Sequence, residues 1–134
     1  MKELEQKVAL VSSSTRGIGL ACAKALAAQG ATVYLGVRRM DAGQQIADEI
    51  IAAGGRAGVV YFDAANEESY SGMVDEVAKK EGRLDILVNN FGATDVKTDL
   101  DVVTGDTGDF FRIVNTNLKS VYLPSKAAVP VMAK

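Results

Sequence analysis

Eight consecutive residues carry the first chemical signal in this 134-residue chain: Ser12-Ser13-Ser14-Thr15-Arg16-Gly17-Ile18-Gly19. They follow the apolar run Val8-Ala9-Leu10-Val11 and open an Ala-rich stretch, so they stand where a buried strand turns into a helix. A helix start offers unpaired backbone N–H groups and the positive end of the helix dipole, and together these bind phosphate. Gly17 and Gly19 permit close approach of backbone to phosphate and of helix to strand, while the hydroxyls of Ser12 to Thr15 can add donors. The spacing departs from the GxGxxG of dinucleotide loops, because Ser13 stands where a first glycine is expected. A serine there strains the turn if its φ must be positive. Without a ligand the same residues read as a Ser/Thr-capped helix start; the strand–turn–helix setting favours the phosphate cradle.

A second signal lies about 20 residues further on, at the end of the next apolar run, where an NAD-binding fold places an acidic residue on the ribose 2′-hydroxyl. Arg38 stands here, with Arg39 beside it. A guanidinium suits a 2′-phosphate, because its planar fork makes charge-assisted, bidentate hydrogen bonds. Arg16 points the same way. The bland alternative is a pair of ordinary surface arginines.

The absence of histidine limits the rest of the chemistry. It excludes, for these residues, a Ser-His-Asp or Cys-His mechanism and any histidine-bearing metal site. Proton transfer would fall to Tyr, Lys or carboxylates, or a bound cofactor would carry the reaction. Cys22 is the only cysteine, which removes an internal disulfide and fits a reducing cytoplasm. Fifteen basic against seventeen acidic residues leave no basic footprint for nucleic acid. No apolar run reaches the ~18 residues of a membrane helix, and the charged N-terminus does not read as a signal peptide.

The elements that must position these residues alternate in units of about 25–30 residues, the rhythm of βαβ crossovers in a parallel sheet. Strands are expected at Val8–Val11, Thr32–Val37, Val59–Phe62 and Ile86–Val88, and helices at Ile18–Gln29, Ala42–Ala53 and Glu67–Glu81. Gly30 and Gly54-Gly55 close the first two helices. The stretch from Gly92 to Thr107 carries Asp95, Asp99, Asp101 and Asp106 and reads as a solvated connection rather than a metal site. A last helix begins near Asp109, with Phe110, Ile113, Val114, Leu118 and Val121 as its apolar stripe. Asn117 falls on that stripe, where an unpartnered amide costs roughly 1–3 kcal/mol. Pro124 and Pro130 should kink or end this helix.

Four separated motifs now stand in order: Ser12 to Gly19, Asp63-Ala64, Asn89-Asn90-Phe91-Gly92 and Asn115-Thr116-Asn117-Leu118. In order and spacing they resemble the short-chain dehydrogenase/reductase family over essentially the whole chain. The variants SSSTRGIG and NNFG, with SVYLPSKAAVPVM, resemble its bacterial 7α-hydroxysteroid branch, which acts on bile acids. The resemblance implies a Rossmann-type doubly wound α/β sheet, here its first four strands, forming a single NAD(P)-binding domain over residues 1–134. It implies an oxidoreductase that interconverts a hydroxyl and a ketone with NADP, and a homodimer or homotetramer. Carried over residue by residue, Ser12, Ser14, Thr15, Arg16, Gly17 and Ile18 would wrap the pyrophosphate and adenosine end. Thr15, Arg16 and Arg38 would hold the 2′-phosphate. Asp63 would accept from the adenine amino group, with the Ala64 backbone beside it. Asn90 and Gly92 would line the ribose, Asn89 would lock the turn, and Asn117 would hold a water of the proton relay. Ser13 and Phe91 depart from the family's glycine and small residue.

The family's chemistry also needs an upstream serine and a Tyr-x-x-x-Lys pair, in which lysine lowers a tyrosine pKa from about 10. Tyr122-Leu123-Pro124-Ser125-Lys126 has that spacing but lies only five residues past Asn117, with no serine-bearing strand between. We read it as helix surface with Tyr122 packing inward, and expect the catalytic residues beyond Lys134. Two alternatives stay open: a nucleotide-binding module without turnover, and a ketoacyl-carrier-protein reductase of the same family.

Overall fold

All four apolar runs pair in one parallel sheet, and the reason is visible in their burial. The computed structural model describes residues 2–134. In chain order the elements are β1 (Val8–Ser12), α1 (Gly17–Ala28), β2 (Thr32–Val37), α2 (Met40–Ala52), β3 (Arg56–Tyr61), α3 (Glu68–Glu81), β4 (Ile86–Val88) and α4 (Thr107–Met132). The strands lie in the order β3-β2-β1-β4. Val8 pairs with Thr32 across β1 and β2, and Ala9 with Ile86 across β1 and β4. Every residue of β1 is buried, as a central parallel strand covered on both faces must be.

Alternation along the strands divides the core into two layers. Ala9, Val11, Val33, Leu35 and Val37 point to α1 and α2, meeting Ala23, Ala27, Ile46, Ala47 and Ile50. Val8, Leu10, Tyr34 and Val60 point to the other face, meeting Tyr70, Met73, Val74 and Val77 of α3 and Ala128 of α4. Each large side chain buried this way contributes on the order of 2 kcal/mol. Tyr34 keeps a polar tip: its hydroxyl donates to Glu81 Oε1 at 2.6 Å. Burial, with Glu81 beside it, pushes this phenol up to about 12, so it remains a neutral donor.

Three expectations are corrected: the start of β3, the buried face of α4 and the direction of Tyr122. β3 starts at Arg56 rather than Val59, because Thr32 pairs with Arg56 and Tyr34 with Gly58 through backbone that needs no apolar side chain. Of the two outcomes expected at the prolines, a kink or an end, the end does not occur: α4 runs 26 residues through both Pro124 and Pro130. Pro124 is completely buried, so packing offsets the ladder bond that its missing N–H removes. The face that α4 buries is also not the one expected. Ser120, Pro124 and Ala128, with Leu123, Ala127 and Val131 partly covered, turn to the core. Phe110, Val114, Leu118 and Val121 are exposed. Tyr122, two positions from Ser120 and so on the far side of the helix, is 59% exposed rather than inward. No helix among the described residues is long and apolar enough to cross a membrane.

Candidate nucleotide site

The strand order puts the C-terminal ends of β1 and β4 side by side while the chain from β1 winds away through β2 and β3. In open α/β sheets this reversal point opens a ligand crevice. A crevice of about 620 Å³ lies there, lined by residues from the loops after β1, β2, β3 and β4, among them Thr15, Arg16, Arg38, Asp63, Ala64 and Phe91.

The cradle is built around a strained serine. Ser13 has φ +52°, the left-handed region that its side chain disfavours by roughly 1–2 kcal/mol. The turn does require positive φ at the position where a glycine is usual. Two bonds hold Ser13 there: its N–H donates to Gly36 O at 2.8 Å, and its carbonyl accepts from Asn90 Nδ2 at 3.0 Å. Ser12 ties the same corner together. Its buried Oγ accepts from Asn90 N–H at 3.0 Å and Phe91 N–H at 3.4 Å, and donates to Val88 O at 3.4 Å.

These contacts sort the sequence-expected site residues by what they touch. Thr15, Arg16, Gly17 and Ile18 reach the surface around the helix start, with Ile18 76% exposed. Ser12 and Ser14 are fully buried, so their hydroxyls lie inside the turn. Ser12 is a brace, whereas Ser14 Oγ has no partner among the described residues. Asn90, expected along the ribose, spends its amide on the cradle backbone. Asn117 Oδ1 accepts from Ala93 N–H at 2.7 Å, and its Nδ2 donates to Ala93 O at 2.8 Å and Ile113 O at 3.1 Å. Its inward position and these backbone partners, not an apolar stripe, account for the polar residue. Gly92 lies against it, since a Cβ at Gly92 would sit 3.7 Å from Asn117 Oδ1.

Asp63 lies at the opposite wall. Its Oδ1 accepts from Ala65 N–H at 2.9 Å and its Oδ2 from Tyr61 Oη at 3.4 Å, which orients the carboxylate. Two residues that the sequence reading missed hold this segment. Ser69 Oγ donates to Asp63 O at 2.8 Å and accepts from Asp63 N–H at 2.9 Å. Tyr70 Oη donates to Ala64 O at 2.9 Å, and burial raises its pKa so that it stays a neutral donor. The only sequence signal for either was a hydroxyl and an aromatic in the first turn of α3.

Charge distinguishes the two neighbouring arginines. Arg39 is tied to Asp41 at 3.3 Å, whereas Arg38 and Arg16 form no ion pair among the described residues although both line the crevice. Two guanidiniums without an ion pair among the described residues, a helix N-terminus and one glycine, Gly17, that leaves the backbone open fit a phosphate-rich dinucleotide. At Gly17, φ +59°, an added Cβ would meet nothing within 4 Å, so that edge of the cradle is free space. Tyr122 and Lys126 do not line the crevice: Lys126 Nζ lies 5.9 Å over the Tyr122 ring on the outside of α4. The loop aspartates serve turns and caps instead, as where Asp106 Oδ2 accepts from Asp109 N–H at 3.0 Å to start α4.

Comparison with known proteins bears on this site. Residues 7–134 match the short chain dehydrogenase family. The chain is 54% identical over 134 residues to a 7alpha-hydroxysteroid dehydrogenase of Clostridium sardiniense, covering 100% of this chain and 51% of the relative. Identity is 52% over 132 residues to the 7alpha-hydroxysteroid dehydrogenase of Paraclostridium sordellii, covering 98% and 49%. Among solved structures, a metagenomic short-chain oxidoreductase in complex with NADP superposes with TM-score 0.85 at 32% identity, covering 96% of this chain and 57% of that one. The chain thus spans about half the length of the curated relatives it matches.

Proposed function

Because the chain belongs to the short-chain dehydrogenase family, we propose that it holds NADP and provides the coenzyme half of an oxidoreductase acting on a hydroxysteroid. The observation that carries the coenzyme choice is the pair Arg16 and Arg38, both at the crevice and both without an acidic partner among the described residues. When bound, the nicotinamide supplies the hydride acceptor or donor for interconverting a hydroxyl and a ketone. Thr15, Arg16 and Arg38 grip the 2′-phosphate end. Asp63 would accept with its oriented carboxylate from the adenine amino group beside Ala64, and Gly17 and Ile18 would hold the pyrophosphate. Ser12 and Asn90 keep that turn in shape. Asn117 fixes Ala93 and so the path of the chain after β4, and it is the residue we assign to the relay water. The substrate class rests on the identity to the two 7alpha-hydroxysteroid dehydrogenases.

Proton transfer needs a group at the crevice, and neither Tyr122 nor Lys126 is there. With NADP and a 7α-hydroxysteroid, residues 1–134 alone are therefore expected to form no NADPH above background. Measurable NADPH formation by this chain would contradict that assignment. The self-association that the resemblance implies has an apolar surface to use: Phe110, Val114, Leu118 and Val121 recur at helical spacing along the outside of α4. Sedimentation is expected to show an oligomer that Leu118→Glu returns to single chains; a wild-type chain already single would sink the idea.

A further inference from the structure

We propose that Phe91, which stands where the family has a small residue, is a positioning residue for the nucleobase: its ring forms the aromatic wall of the adenine end of the crevice. The inference rests on the coenzyme reading and assigns to this chain a contact that a small side chain cannot make. Phe91 lines the crevice together with Phe62, Asp63 and Ala64 and is half-buried. Its place is fixed from two sides. Its N–H reaches Ser12 Oγ at 3.4 Å. Its ring stands edge-on to Phe62, with centroids 5.6 Å apart at 81°.

Phe62 in turn meets Tyr70 edge-on at 5.1 Å and 77°, and Tyr70 Oη holds Ala64 O. One run of three aromatic rings therefore connects the turn after β4 to the Asp63-Ala64 segment on the far wall. Edge-to-face rings resist sliding, because each positive rim sits on a negative face. A flat apolar surface here suits a purine, whose π-face stacks on aromatic side chains whatever groups its ribose carries. The ring and the arginines thereby divide the work. Phe91 recognises the base and is indifferent to the 2′-phosphate, while Arg16 and Arg38 read the phosphate.

The test uses calorimetric titration of Phe91→Ala and Phe91→Leu with NADP, NAD, 5′-AMP and inorganic pyrophosphate. Phe91→Ala is expected to weaken NADP, NAD and 5′-AMP by about tenfold each, leaving the NADP-to-NAD ratio and pyrophosphate binding unchanged. Phe91→Leu, which keeps most of the apolar volume, is expected to lose most of the same affinity because it lacks the flat ring. Unchanged 5′-AMP affinity in both variants would overturn the assignment, and so would equal weakening of pyrophosphate, which marks a merely structural residue. A wild-type chain that binds none of the four would overturn both this and the coenzyme reading. Wild-type binding that is insensitive to Phe91 removes only the wall.

Discussion

Replacing Arg38 with aspartate is expected to reverse the coenzyme preference, weakening NADP by ten- to a hundredfold while NAD binding holds or improves. The magnitude follows from what the side chain supplies. A hydrogen bond to a charged partner contributes about 1.5–3 kcal/mol, and each 1.4 kcal/mol is a factor of ten. Aspartate adds repulsion against a 2′-phosphate, and the same carboxylate can accept from a free 2′-hydroxyl, the arrangement of NAD-binding folds. Stability should not change, because Arg38 is exposed and forms no ion pair among the described residues. Arg39→Asp is the control. Arg39 is already engaged with Asp41, so its loss should move the preference much less. Titrating both variants with both coenzymes checks the result, and an unchanged ratio in Arg38→Asp would remove the arginine from the site.

The second large effect is Gly19→Ala, which should cost about 2–4 kcal/mol of stability and abolish coenzyme binding. A Cβ at Gly19 would lie 2.5 Å from Ser13 O and 3.1 Å from Ser14 Cα and would collide with Asn90 Nδ2. Backbone at that distance cannot swing away as a side-chain tip can, so the turn must open. Opening it breaks the bond from Asn90 to the Ser13 carbonyl, one of the two that hold Ser13 at positive φ. The cradle geometry and the alignment of β1 with the turn after β4 fail together. Gly17→Ala separates sterics from strain: it also has positive φ but open space around it, so only the conformational cost of roughly 1–2 kcal/mol applies. Thermal unfolding with NADP titration distinguishes them, and wild-type behaviour in Gly19→Ala would contradict the packing described here.

Much of this architecture is legible in the chain because parallel strands buried on both faces announce themselves as short apolar runs. Thr32–Val37 and Ile86–Val88 are found where the sequence places them. The start of β3 is not legible, since backbone pairing to β2 carries Arg56 and Gly58 regardless of their side chains. Nor is the face of α4. That helix bears two candidate stripes, and the richer one, Phe110 to Val121, is the one left outside, while small residues at Ser120 and Ala128 admit close packing. At the site, Arg38 is readable from its distance beyond the loop. The bracing by Ser12 and Asn90 is not, because it exists only once β4 lies beside β1, 76 or more residues away along the chain. Ser69 and Tyr70 escape notice for the same reason: their work is to hold the backbone of Asp63 and Ala64, which no spacing reveals.

Calorimetric titration of the unaltered chain with NADP and, separately, NAD tests the central claim most directly. The arrangement of Arg16 and Arg38 around the Ser12–Gly19 cradle predicts saturable binding of one coenzyme per chain, with NADP held at least tenfold more tightly than NAD. Equal affinity for the two, or tighter binding of NAD, would contradict it.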